Sequence, residues 1–433
     1  MKLALRSDTV KAGLSAHAAI GLLGGALLYL VCLTGTVLVL YQEFQRLEQP
    51  EAPEMTSIAP SAVQRAVETV LASEAGGPTT THLYVHLPVP GLPRTTITTD
   101  TQAVHVEEDG NIVMPEENAW SEFLYALHYT LNLPMLVGIT IVGILGVMIV
   151  ALGITGVVAH PRIFRDAFRL RARNDSGVGL ADWHNRLSVW SLPFSLAIAL
   201  TGAIIGLATV SAFVLAETSF DGDREAVFAP LFGEEAPEND APAPQADVEA
   251  ALVDMGQRHP GMPVSYVILH DPGTVGQHIQ LVGLHDERLI FGEYYAYGAQ
   301  GEYMGSAGLA DGEIGQQAAA SVYNLHFGNY GGLPVKLAYI VLGVMLTVVC
   351  ATGVHIWLGK RERRGYSEPR LKAAWSALVW GAPALLFATF LLRLGLGNGL
   401  PFASIFWSGL AAIVVVSALS ATRQEGHRGP SYS

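Results

Sequence analysis

Only two cysteines, Cys32 and Cys350, occur in 433 residues, and both fall inside long apolar runs. That scarcity excludes a disulfide framework in the polar loops, and it excludes an Fe–S or structural zinc site built on thiolates. The order Cys-x-x-Cys-His is absent, so covalent c-type haem attachment is excluded as well. Both cysteines read as small packing residues. Charge is also scarce. Charged side chains make up 15% of the chain, where a soluble protein carries about a quarter. No Gly-x-Gly-x-x-Gly follows a predicted strand, so no flavin or nicotinamide fingerprint is present. Lys and Arg are sparse in the two long polar segments and the net charge is −13, which argues against a nucleic-acid partner.

Half of the residues are hydrophobic, and the excess is gathered into six runs, each near the ~20 residues that cross a hydrocarbon core. They are Leu14–Leu40, Pro134–Val158, Leu187–Leu215, Pro334–Leu358, Trp375–Leu394 and Phe402–Ala421. The first is too long for a signal-peptide core and lacks a clear cleavage site, so it reads as an uncleaved span. The basic residues are sorted by side. Lys2, Arg6 and Lys11 precede the first span. Arg162, Arg165, Arg169, Arg171, Arg173 and Arg186 fill segment 159–186. Lys360, Arg361, Arg363, Arg364, Arg370 and Lys372 fill segment 359–374. The positive-inside rule then places 1–13, 159–186, 359–374 and the tail 422–433 in the cytoplasm. The long segments 41–133 and 216–333 fall outside a bacterial inner membrane.

The chain contains an internal repeat of the order span, outer segment, span. His17 is followed seventeen residues later by Thr34-Gly35, and His184 by Thr201-Gly202 at the same offset. Leu127-His128 precedes Pro134, and Thr155-Gly156 closes that span. Leu325-His326 precedes Pro334, and Thr352-Gly353 closes that one. Cys32 and Cys350 each stand two residues before a Thr-Gly. Small residues in such positions let helices approach closely in lipid. The outer segments read as two small α+β domains. Helices are predicted over Ser61–Ala75 and Val248–Gln257. Strands are predicted over Thr81–Leu87, Thr95–Thr99 and Val104–Val106, with a turn at Asp109-Gly110-Asn111, and over Val264–Leu269, His278–Val282 and Arg288–Tyr295. Glu234–Gln245, rich in Pro, Ala and acid, reads as a flexible linker.

Six of the fourteen histidines stand at span ends. His17 and His184 lie at the predicted cytoplasmic starts of spans one and three. His160 and His355 lie at the cytoplasmic ends of spans two and four. His128 and His326 lie at the outer starts of spans two and four. An ionisable residue beside a span is costly and points to function. One imidazole on each face of a porphyrin gives a closed, six-coordinate electron-transfer centre, and facing helices are a natural host. A duplicated helix pair assembles about a pseudo-two-fold axis, so equivalent residues of the two halves grip a ligand on that axis together. This logic pairs His128 with His326 and His17 with His184 as axial ligands of about two b-type haems, and keeps His160 and His355 as further cofactor-binding candidates. His82, His86, His105, His259, His270, His278, His285 and His427 read as surface residues of the outer domains or tail.

Three segments carry a family resemblance. They are Gly156-Val-Val-Ala-His160-Pro-Arg-Ile-Phe-Arg-Asp-Ala-Phe-Arg-Leu-Arg171; Asp182-Trp-His184-Asn-Arg-Leu-Ser-Val-Trp-Ser-Leu-Pro-Phe194 with Ala199-Leu-Thr-Gly202; and Leu325-His-Phe-Gly-Asn-Tyr-Gly-Gly-Leu-Pro334. Over roughly residues 10 to 365 the chain resembles the PepSY-associated transmembrane proteins, which include iron-regulated membrane proteins and di-haem ferric-siderophore reductases. The resemblance implies PepSY-like outer domains, His160 as a ligand candidate, and an oxidoreductase that delivers electrons to chelated ferric iron. The last two spans extend beyond that family's usual four. The expected protein is therefore an α-helical integral membrane protein. Its duplicated helix pairs form a four-helix haem core, with two extra C-terminal spans and two small α+β periplasmic domains. Its partners would be the lipid bilayer, a ferric siderophore or other ferric chelate, and a separate cytoplasmic or quinol electron donor. Two competing classes are a siderophore or metal transporter and a non-catalytic PepSY binding or regulatory protein. A transporter should place broken helices or charges at mid-span, whereas these histidines gather at span ends.

Overall fold

The computed structural model describes residues 6–168, 178–233, 239–285 and 289–426. Lys2, Arg169, Arg171, Arg173, positions 234–238 of the expected linker, Arg288 and His427 lie outside the described residues. In chain order the elements are α1 (Ser7–Leu38), α2 (Tyr41–Glu48), α3 (Pro60–Ser73), β1 (His82–His86), β2 (Thr95–Thr98), β3 (Ala103–Val106), β4 (Ile112–Pro115), α4 (Ala119–Thr130), α5 (Met135–Ala159), α6 (Ile163–Asp166) and α7 (Val178–Trp190). There follow α8 (Leu192–Ser219), α9 (Glu225–Phe232), α10 (Val248–Arg258), β5 (Val264–His270), β6 (His278–Gly283), β7 (Glu293–Tyr297), β8 (Tyr303–Ser306), α11 (Ile314–Phe327), α12 (Gly332–Glu362), α13 (Pro369–Leu396) and α14 (Phe402–Gly426). The chain divides into a helical unit and a sheet unit.

Among the described residues, six helices are long and apolar enough to cross a membrane: α1, α5, α8, α12, α13 and α14. The protein is a multi-pass membrane protein. α1 packs against both α5 and α12, and α13 packs against α14. Glycine sets the α1–α12 approach, since a Cβ on Gly343 would lie 2.7 Å from Thr36 Oγ1. His128, His184 and His326 stand ahead of their spans, on the separate helices α4, α7 and α11. Leu131 and Asn132 both take the left-handed conformation (φ 56) and Pro134 caps α5, so the chain must turn between α4 and α5. Gly328, Gly331 and Gly332, all with positive φ, make the equivalent turn before α12.

The sheet unit departs from expectation. The two segments expected as separate α+β domains share a single antiparallel sheet of order β4-β3-β2-β1-β5-β6-β7-β8. The order is symmetric about the β1–β5 seam, where Tyr84 pairs with Ile268 at the centre. Alternation along the strands explains why the halves fuse. Leu83 and Val85 of β1 and Val267 and Leu269 of β5 are fully buried on one face, under Val63, Val67 and Val70 of α3 and Ala251 and Met255 of α10. Burying each such side chain contributes about 1.5–3 kcal/mol. Strand pairing at the seam also satisfies two edges that would otherwise stay open. β4 and β8, which hydropathy did not predict, are the short outer strands, and they show no fully buried position.

Candidate functional site

The four histidines of the predicted pairs are each held in the same way, by a threonine and by the carbonyl three residues before it. His128 Nδ1 lies 3.0 Å from the Val31 carbonyl and 3.3 Å from Thr34 Oγ1. His17 Nδ1 lies 3.1 Å from the Leu152 carbonyl and 3.3 Å from Thr155 Oγ1. His326 Nδ1 lies 3.1 Å from Thr201 Oγ1, with the Ile198 carbonyl as its backbone partner. His184 Nδ1 lies 3.0 Å from Thr352 Oγ1, with the Val349 carbonyl in the same role.

These contacts decide the tautomer. Each threonine hydroxyl donates to the carbonyl one helical turn back: Thr34 to Leu30 (2.8 Å), Thr155 to Ala151 (2.6 Å), Thr201 to Ala197 (2.7 Å) and Thr352 to Val348 (2.7 Å). With its hydrogen committed there, the threonine oxygen acts as an acceptor, as the carbonyl must. Nδ1 therefore carries the hydrogen and donates it. Nε2 is left with its lone pair, and among the described residues it makes no hydrogen bond in any of the four rings. A metal-binding imidazole has this arrangement, with the second nitrogen fixed by a backbone or side-chain acceptor.

The glycine of each Thr-Gly makes room for the ring. A Cβ on Gly35 would lie 2.7 Å from His128 Cε1, and one on Gly202 would lie 2.8 Å from His326 Cε1. At Gly156 and Gly353 the corresponding distances, to His17 and His184, are 3.3 and 3.5 Å. The sequence alone presents these dipeptides as sites of helix approach. Their role as histidine cradles was signalled by the fourfold recurrence of Thr-Gly in register with four histidines, but which histidine meets which dipeptide needed the fold.

The structure brings the cradled rings together in two pairs. His128 and His326 have ring centres 6.2 Å apart and planes inclined by 29°, and His17 and His184 have ring centres 6.4 Å apart and planes at 88°. All four rings are half-buried. Within each repeat the two helical hairpins cradle their own histidines, and each pair joins one histidine from either repeat.

Residues 14–360 match the family model described as the PepSY-associated TM region. The chain belongs to this family. One relative of the PepSY-associated chain is Uncharacterized protein PA4219 of Pseudomonas aeruginosa (strain PAO1). It is 27% identical over 264 residues, which cover 58% of this chain and 67% of that protein.

The remaining candidates of this PepSY-associated protein sit elsewhere. His160 caps the end of α5, its backbone N–H bonded to the Gly156 carbonyl, and its ring joins neither pair. His355 has both ring nitrogens engaged. Trp375 Nε1 donates to Nδ1 at 3.0 Å, the Ala351 carbonyl lies 2.9 Å from the same nitrogen, and Ser376 Oγ lies 3.4 Å from Nε2. Neither nitrogen of His355 is free in the way the paired histidines' Nε2 atoms are.

α13 and α14 lie beyond the matched region, yet they hold α4, the helix that carries His128. Asn398 Oδ1 accepts from the N–H of Ala119 at the start of α4 (2.9 Å). Trp120 Nε1 donates to Thr389 Oγ1 (3.0 Å), and Phe123 packs on Phe402 and Phe406. Trp407 Nε1 donates to Asn132 Oδ1 (3.1 Å) at the left-handed turn that ends α4. The matching positions of α11, counted back from His326, are Ala318 and Ser321 in place of Trp120 and Phe123.

In the sheet unit, His105, His270 and His278 are buried rather than on the surface as expected. β3, β5 and β6 alternate, so these side chains take the face opposite α3 and α10. There the His270 and His278 rings stack at 4.2 Å, and His82 meets His270 edge-on at 5.0 Å. Among the described residues, no group of three or more His, Cys, Asp or Glu is arranged to hold a metal ion.

Proposed function

We propose that this PepSY-associated protein holds two b-type haems, one between His128 and His326 and one between His17 and His184. It would work as an inner-membrane oxidoreductase that passes electrons outward to a ferric chelate. The observation that carries the reading is the common cradle of the four histidines, which engages Nδ1 of each ring, together with the gathering of those rings in two pairs. A metal–imidazole bond is about 2 Å long, so two imidazoles sharing one iron have ring centres roughly 6 Å apart. The separations of 6.2 and 6.4 Å fit that requirement. Bound there, haem would supply a one-electron carrier.

The chain's own residues do the rest. Thr34, Thr155, Thr201 and Thr352 accept the Nδ1 hydrogens and keep Nε2 unprotonated toward the ligand. The glycines beside them set ring depth. The apolar helices exclude water, which keeps the sites at low dielectric. The basic segments on the cytoplasmic side support electron entry there, and the position of α4 and α11 before the outer starts of their spans supports exit outside. Lacking a nucleotide fingerprint, the chain takes electrons from a separate protein, a reduced flavin or a quinol. A ferric siderophore suits the acceptor role, because one-electron reduction to Fe(II) weakens chelation and frees iron without destroying the chelator.

Two measurements test this. Protein from haem-replete cells should show a reducible low-spin b-type spectrum, and a colourless folded preparation overturns the haem reading. Chemically reduced protein in oriented vesicles should reduce ferric siderophores added outside, with Fe(II) caught by a ferrous trap. Haems that stay reduced with every ferric chelate but reoxidise with a quinone or another periplasmic protein would leave electron transfer standing and remove the siderophore.

A further inference from the structure

Cys32 and Cys350 come from different repeats, yet their sulfurs lie 3.7 Å apart, in mutual contact between α1 and α12. A buried cysteine in apolar surroundings is ordinarily an inert packing residue. Contact changes what this pair can do, since an S–S bond of about 2.05 Å needs the sulfurs to close by under ~2 Å. The helices that carry them already approach closely, through Gly343 against Thr36 and Gly25 against Val354. Both thiols are free, with Cys32 buried and Cys350 half-buried, so Cys350 is the one a reagent can meet.

We infer that Cys32 and Cys350 form a redox-active dithiol that closes to an intramolecular disulfide when a membrane-dissolved quinone oxidises it. In the step, two S–H bonds break and one S–S bond forms, and the two hydrogens, with two electrons, pass to the quinone as it becomes a quinol. The oxidant class follows from placement. Both cysteines lie within membrane-spanning helices, where an apolar two-electron acceptor dissolves and a water-borne one does not.

The location gives the bond something to control. Cys32 directly follows Val31, whose carbonyl holds His128, and Cys350 directly follows Val349, whose carbonyl holds His184. Each cysteine is also two residues before the threonine of the same cradle. A disulfide would tie the cradle of one histidine pair to the cradle of the other, and it would join repeat to repeat. The inference stands on the thiol contact and goes beyond the haem reading, and thiol state can be read with no haem bound.

The test uses the full chain in lipid nanodiscs, reduced, freed of reductant and treated anaerobically with decylubiquinone. Diamide serves as a membrane-permeable control. After acid quenching and denaturation, the free thiols are alkylated and the protein is digested for mass spectrometry. The expected result is loss of both alkylation sites in monomeric protein and a Cys32–Cys350 linked peptide lighter by two hydrogens, with both thiols recovered on adding dithiothreitol. Cys32→Ser should leave Cys350 fully alkylated under the same quinone. The linked peptide from the unaltered chain decides the matter even if that variant fails to fold. Retention of both thiols with decylubiquinone, whether or not diamide closes the bond, overturns the inference. So does loss of the Cys350 thiol in Cys32→Ser protein.

Discussion

His128 and His326 lie with ring centres 6.2 Å apart and planes inclined by 29°, though they belong to different repeats and reach the site on separate helices, α4 and α11. If they share one haem, His128→Ala and His326→Ala should each remove that haem and leave the one at His17 and His184 in place. The double variant should lose no more haem than either single one. Haem quantification by pyridine haemochrome, with a redox titration of what remains, checks the pairing. Loss of different haems in the two variants would dissolve it.

The cradle predicts graded effects. Thr201→Val removes an acceptor of the His326 Nδ1 hydrogen and should weaken haem binding by roughly 10–100-fold, the usual consequence of losing a partner behind a metal ligand. Thr201→Ser should restore it. Gly35→Ala and Gly202→Ala, where the added carbon meets the ring at 2.7 and 2.8 Å, should cost more than Gly353→Ala, where it stands at 3.5 Å. Titrating haem into apo-protein and following the Soret band measures each.

Ring orientation should distinguish the two centres. The His17 and His184 planes are nearly perpendicular (88°), whereas His128 and His326 are inclined by only 29°. Crossed imidazole planes bring the iron's two π-type d orbitals close in energy, and near-parallel planes split them. Low-temperature electron paramagnetic resonance of the oxidised protein should therefore show one strongly anisotropic low-spin signal and one ordinary rhombic signal. The His17→Ala variant should lose the first and keep the second.

Support from the C-terminal hairpin should be measurable on α4. Thr389→Val takes from Trp120 Nε1 the hydroxyl it bonds at 3.0 Å, both residues being buried, at a cost of about 1–3 kcal/mol. Trp407→Phe frees Asn132 from the bond that pins the turn after His128. Both variants should exchange amide hydrogens faster over residues 119–130 than the unaltered chain, with or without haem. In haem-loaded protein the midpoint potential should shift at the His128–His326 centre alone. Unchanged exchange would mean that α4 needs no such brace.

The sheet unit should destabilise in mild acid. Burial holds His86, His105 and His270 at about 4, with Arg94 beside His105, and His278 and His82 beside His270, acting in the same direction. From an unfolded value of 6.5, the unfolded chain takes up protons between these limits that the folded unit refuses. Stability is therefore full above that range and falls as pH drops from about 6.5 toward 4. Glu74 acts lower. Burial alone would raise its carboxyl, but hydrogen bonds from Thr101, Thr99, Thr80 and Gln102 outweigh that and hold it at about 2. Its contribution is present above 4.5 and is lost as pH falls toward 2. Hydrogen exchange at the seam residues 82–86 and 264–270 across this range checks the sign, and replacing His105 with Gln should flatten the upper part of the curve.

Apolar run length, which needs only composition over a window, determined the six spans without any fold. Register, which needs only counting, determined the repeat and the histidines worth pairing. Side-chain alternation determined most strands of the sheet unit, but it could not say that β1 would pair with β5, because strand partners far apart in sequence are chosen by the hydrophobic face they share. The helix breaks before α5 and α12 depended on left-handed backbone at Leu131, Asn132 and the glycines near 330, which local hydropathy does not register. Only the tertiary structure decided that Thr34-Gly35 serves His128 rather than His17, that Cys32 touches Cys350, and that Trp407 reaches Asn132. Each of these is a contact between helices, and an apolar sequence in lipid specifies that a helix spans far more strongly than it specifies which neighbour its small and polar residues will meet.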